Sequence, residues 1–97
     1  MFKFRKHLGI PYQVQGYIHF RSHNYHRLSG RERSEIDELC RIAGGEYEEA
    51  LKRFLTTDVT ATKVCIDYFL SKATLYRCVD KYYKLFAELM TNKEQGI

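Results

Sequence analysis

Tryptophan is absent from this 97-residue chain, proline occurs once and glycine six times. A sequence so short of helix breakers and loop formers is not a linker, a collagen-like repeat or a proline-rich recognition segment. No apolar run approaches the roughly 20 residues that a membrane-spanning helix requires. The basic start, MFKFRKHLGIPYQ, has neither the apolar stretch nor the small-residue cleavage site of a secretory signal. A cytoplasmic protein without a membrane partner is therefore expected. The three cysteines, Cys40, Cys65 and Cys78, are odd in number and form no CxxC pair. That argues against a disulfide framework or a standard zinc site, and their places on helical apolar stripes suit buried free thiols. There is no glycine-rich phosphate loop, no nucleophile with an identifiable base and no carboxylate pair set apart from lysines. Neither an enzyme nor a bound cofactor is expected, and no small-molecule substrate.

What is present is an ordinary globular composition, 44% hydrophobic and 29% charged, in a length that makes one domain, 1–97. The net charge of +4 is unevenly spread: residues 1–30 carry five bases and no acid, 31–58 five bases against eight acids, and 59–97 six against four. Basic ends around an acidic middle give a folded chain one face attractive to phosphate and another that is not.

From Phe2 to Phe20 the even positions are mostly apolar (Phe2, Phe4, Leu8, Ile10, Tyr12, Val14, Ile18, Phe20) and the odd ones polar. This period of two predicts strands, with Gly9 and Pro11 marking a turn between them. The first 28 residues are thus expected to form a short basic β-ribbon or arm. From residue 29 the period changes. Ser29 with Glu32 forms a capping box ahead of Ile36, Leu39, Cys40 and Ala43, and Gly44-Gly45 ends that helix. A second helix carries Tyr47, Ala50, Leu51 and Phe54 inward, and a third, capped by Thr60, carries Ala61, Val64, Cys65 and Tyr68. The last, capped by Ser71, runs to about Met90 with Leu75, Cys78, Val79 and Tyr82 inward, and residues 93–97 read as a frayed tail. The expected class is mostly α, formally α+β: the N-terminal ribbon, then four helices.

The segment TATKVCIDYFLSKATLYRCVDKYY meets four requirements of a helix-turn-helix. Cys65 is a small residue where the helices cross, Leu70 a hydrophobic plug in the turn, Ser71 a cap, and Leu75 with Cys78 and Val79 a narrow buried stripe. Over residues 60–86 this resembles the helix-turn-helix of bacterial transcription regulators, and SKATLYRCV is similar to the recognition helix of the TetR family and of SpoIIID-type sporulation regulators. Phe69 departs from that pattern, which has Gly in the turn, and the chain has no space for the ligand domain of TetR proteins. The resemblance implies double-stranded DNA as partner, read by the helix 71–90 in the major groove. Ser71, Lys72, Ala73, Tyr76 and Arg77 would face the groove, with Arg77 presenting its fork to guanine or to phosphate. Asp80 would accept from cytosine or sit outside the contact. Thr60, Thr62 and Lys63 would hold a backbone phosphate. Lys3, Arg5 and Lys6 on the ribbon would track phosphates as an arm or wing.

The function expected is sequence-specific DNA binding by a small transcription regulator or mobile-element accessory protein. Usable specificity suggests a homodimer, through the ribbon or through Tyr82, Tyr83, Phe86 and Leu89. The alternative is a non-catalytic protein-interaction or phage-type inhibitor protein that offers the acids of the middle helices, Glu35, Asp37, Glu38, Glu46, Glu48 and Glu49, to a basic partner. His19, His23 and His26 invite a metal reading, but the strand pattern around them separates the imidazoles, so no metal is expected. Tyr17, Tyr25, Tyr76 and Tyr83 are the candidate exposed tyrosines for stacking on RNA bases.

Overall fold

A computed structural model of the chain describes residues 2–95, with side chains as far as Asn92. Among the described residues there are five α-helices and no strand: α1 (Tyr12–His23), α2 (Gly30–Gly44), α3 (Glu48–Thr56), α4 (Ala61–Tyr68) and α5 (Lys72–Gln95). The β-ribbon and the α+β class are therefore overturned, and the protein is all-helical. Residues 2–5 carry no regular structure and Lys6–Leu8 form one turn of 3-10 helix. Gly9, at φ 69°, takes the left-handed conformation that glycine adopts without strain. Pro11 then opens α1, its fixed φ suiting a helix start and its carbonyl accepting from the Gln15 N–H.

The strand reading failed because, of the alternating apolar side chains, Ile18 alone is fully buried, while Leu8, Ile10 and Val14 are only partly buried against the core and others face outward. Tyr12 and Phe20 are each 60% exposed, whereas α1 buries Gln15, Ile18 and Ser22. Those three sit at helical spacing, yet two are polar and leave no apolar stripe to read. Both polar groups are bonded. The Gln15 amide donates to the carbonyls of Arg5 (3.0 Å) and Ile10 (2.9 Å) and accepts from the Arg5 N–H (2.9 Å), which pins the N-terminal segment to α1. Ser22 donates to the Ile18 carbonyl at 2.7 Å, so the fully buried Tyr82 hydroxyl, 2.6 Å away, donates to Ser22.

The later helices follow their apolar stripes. The Ser29–Glu32 capping box starts α2, and Gly45 ends it at φ 55°. Thr60 caps α4 by accepting from the Lys63 N–H, and Ser71 accepts from the Thr74 N–H at the start of α5. Helix α5 is the spine, in contact with each of the other four helices. Its inward face, Leu75, Cys78, Val79, Tyr82, Tyr83 and Phe86, meets Ile36, Leu39 and Cys40 of α2, Leu51 and Leu55 of α3 and Val64 of α4 in one core. Each such side chain, fully buried, is worth roughly 1.5–3 kcal/mol. Helix α5 also passes the expected end at Met90 and reaches Gln95. Of the segment read as a frayed tail, residues 96 and 97 lie outside the described residues.

Candidate functional site

Helix α4 is eight residues long, and residues 69–71 join it to α5. Its last turn closes on the Cys65 carbonyl, which accepts from the N–H groups of Phe69 and Leu70. Phe69 has φ 57° and ψ 48°, the left-handed conformation that ends many helices and ordinarily falls to glycine. It is the sole non-glycine with positive φ among the described residues. Its ring is 93% exposed, next to Ile66 at 64%. The turn thus carries both backbone strain and uncovered apolar surface.

Beyond the turn, Ser71, Lys72, Ala73 and Arg77 are exposed, as are Lys81 and Lys84 further along α5. At 100° per residue, Ala73, Arg77, Lys81 and Lys84 fall on the side of α5 opposite its buried stripe. Lys72, in phase with Leu75 and Val79, is exposed because it is the first residue of the helix. The intervening acid, Asp80, is already engaged: Arg5 Nε donates to it at 2.5 Å and His7 pairs with it at 2.7 Å. From Lys72 to Lys84 the open face of α5 is therefore cationic.

Other expected contacts are committed elsewhere. Tyr76 is half-buried, edge-on to Phe54 and beneath the Arg5 guanidinium, 5.2 Å from its ring centroid. Arg5 lies over α5 rather than reaching outward as an arm. Lys3 is exposed at the rim of an open pocket, and Lys6 is exposed in the 3-10 turn. On α4, Thr62 is exposed and Lys63 Nζ pairs with Asp67 at 3.0 Å. Asp67 also accepts from Arg53 at 2.6 Å. Lys63 first and then Arg53 hold its carboxyl below the usual range.

The dimer surface read from Tyr82, Tyr83 and Phe86 is not available. These side chains are 0%, 5% and 5% exposed and belong to the chain's own core. Tyr83 is likewise withdrawn from any stacking role, and Tyr25 is half-buried, bonded to Asp37 at 2.7 Å. The acidic middle is compensated in part from within: Glu32 pairs with Arg21, Asp37 with Lys52 and Glu38 with Arg41. His19 and His23 do share a helix face, their rings stacked 5.8 Å apart, contrary to the strand reading. No group of three or more potential metal ligands occurs among the described residues. No helix among them is long and apolar enough to cross a membrane.

Two features escaped the sequence. Lys81 and Lys84 follow Arg77 at i+4 and i+7, a spacing that places them on its face, and that signal was legible. The second is a cavity of about 300 Å³ between the N-terminal segment, α1, residues 57–60 and α5, lined by Lys3, Arg5, His19, Thr60 and Tyr83 among others. Its walls come from four separate stretches of chain, so no local pattern announces it. Burial, and next the neighbouring His23, lower the pKa of His19 there, while burial pushes the Tyr83 phenol up to about 12.

No family model matches the chain, and no curated protein or solved structure matches it either.

Proposed function

We propose that the protein binds double-stranded DNA with the open face of α5, without catalysis, as a small transcription regulator or mobile-element accessory protein. The observation that carries this reading is the cationic face itself. Lys72, Arg77, Lys81 and Lys84 are exposed along one helix, and Asp80 among them is countered by Arg5 and His7. Such a basic stripe along one helix is the electrostatic footprint expected of a surface that neutralises backbone phosphates. Arg77 has the planar fork that recognises guanine, while Lys72, Lys81 and Lys84 act as point charges toward phosphate. Ser71 and Ala73, small and exposed near the helix start, let the backbone come close to base edges. Tyr76, Asp80 and Arg5 form the support beneath this face rather than the contact.

Titration of a fluorescent duplex tests the reading. With about four phosphate contacts, affinity should fall roughly a hundredfold between about 50 and 200 mM salt. Arg77→Ala should weaken binding about tenfold and flatten the preference among sequences. No binding at low salt would remove DNA as the partner.

A second reading is favoured by Ile66 and Phe69, whose exposed side chains at a strained turn suit a protein partner. It predicts that Phe69→Ser abolishes capture of that partner while the chain ignores duplex DNA.

A further inference from the structure

We propose that the outer face of α1, with the N-terminal segment laid across it, binds single-stranded nucleic acid by stacking unpaired bases on its aromatic rings.

The chain begins by interleaving rings with cations, Phe2-Lys3-Phe4-Arg5-Lys6, and residues 1–30 carry five bases and no acid. The fold then gathers the rings. Gln15 holds the N-terminal segment against α1, which brings Phe2 and Phe4 to Tyr12 with ring centroids 5.5 and 5.6 Å apart. Phe2 also meets His19 at 5.3 Å, and His19 meets Phe20 at 5.2 Å. Gly16 falls between Tyr12 and Phe20 in helical phase, and Phe2 lies over it, 3.8 Å from where a Cβ would stand. Two stretches of chain thus form one continuous aromatic row. The core does not account for it: Phe4 is 43% exposed, and Tyr12 and Phe20 are 60% exposed. These three meet their neighbours edge-on or tilted, so no face-to-face stack within the chain occupies them.

Contiguous exposed apolar surface marks an interaction site, and charge identifies the occupant. A second copy of the chain would set basic surface against basic surface. A lipid surface calls for aliphatic side chains facing away from a Lys- and Arg-rich side. Helix α1 has no Lys, and its two aliphatic side chains, Val14 and Ile18, pack against the core. A single strand offers a phosphate and a π face at every nucleotide, which suits rings set among cations. Lys3 and Lys6 are exposed to meet phosphates, and the exposed Gln13 amide, beside Phe20 in helical phase, can bond a base edge. The acid nearest to this face, Asp58, is paired with His23 at 3.2 Å. Tyr17, expected to stack on bases, is instead edge-on to Phe86 and beneath Arg21. The site is separate from the cationic face of α5 and does not rest on duplex binding.

Fluorescent oligo(dT) and oligo(U) of about ten nucleotides are titrated into the full chain at low salt. Inorganic polyphosphate of similar length and vesicles of phosphatidylserine with phosphatidylcholine serve as competitors. The oligonucleotides should bind and shift the ring resonances of Tyr12 and Phe20, the tighter of the two identifying the preferred sugar. Polyphosphate and vesicles should compete at least tenfold more weakly. Tyr12→Ala and Phe20→Ala, both at exposed positions, should each weaken oligonucleotide binding about tenfold. Phe20→Leu should lose as much as Phe20→Ala, because it keeps apolar bulk without a ring. Absence of oligonucleotide binding, or unchanged affinity in Tyr12→Ala and Phe20→Ala, overturns the proposal. So does full affinity in Phe20→Leu, or competition by polyphosphate or vesicles as strong as that of unlabelled oligonucleotide.

Discussion

Helices α1 and α5 pack into the same core by opposite means. Helix α5 buries six side chains that are apolar or aromatic, from Leu75 to Phe86, whereas α1 buries Gln15, Ile18 and Ser22. The attachment of α5 is area removed from water, non-directional and tolerant of a change of shape. That of α1 is a set of hydrogen bonds, each worth only about 1 kcal/mol net but costly when one partner is left alone. The segment up to the end of α1 is therefore held by Ile18 and a few replaceable bonds, and those bonds also position Arg5 over Tyr76 and Asp80.

The contrast can be broken at either end. Leu75→Ala, at a fully buried position of α5, should cost about 3 kcal/mol and lower the urea midpoint of the whole chain. Gln15→Ala should cost about 2 kcal/mol by stranding backbone groups of Arg5 and Ile10. Its mark is regional: amide exchange should accelerate in residues 2–10 well before α2, and a uniform acceleration would mean that α1 is held as α5 is. Ser22→Ala should cost about 1–2 kcal/mol because the Tyr82 hydroxyl loses its acceptor, and adding Tyr82→Phe should restore most of that loss. Phe69→Gly should raise stability by about 1 kcal/mol by relieving the left-handed backbone.

The smallest expected effect is one of pH. His19 is held below its ordinary pKa of 6.5 by burial and by His23, so the unfolded chain takes up this proton before the native one does. Stability is complete above that value and declines as pH falls from 6.5 toward the lowered native pKa. Melting curves of His19→Asn should show a shallower decline across this window.

The same contrast explains what could be read from sequence. Stripes such as Ile36–Leu39–Cys40–Ala43 and Leu75–Cys78–Val79–Tyr82 locate α2 and α5 because burial and hydrophobicity coincide there. In α1 they part company, and the exposed Tyr12 and Phe20 imposed a false period of two. At the candidate site, the exposure of Arg77 follows from helical phase, and that of Lys72 from its place as the first residue of α5. The engagement of Asp80 by Arg5 and His7 joins residues more than seventy apart in the chain, and the cavity around Tyr83 likewise assembles from distant stretches. Neither leaves a local trace in the sequence.

Amide chemical-shift mapping during titration with duplex DNA at low salt tests the central claim most directly. The account predicts shifts concentrated at residues 61–63 and 71–84, with α2 unmoved and the shifts reversed by added salt. Shifts confined to α2 and α3, or none anywhere, would contradict it.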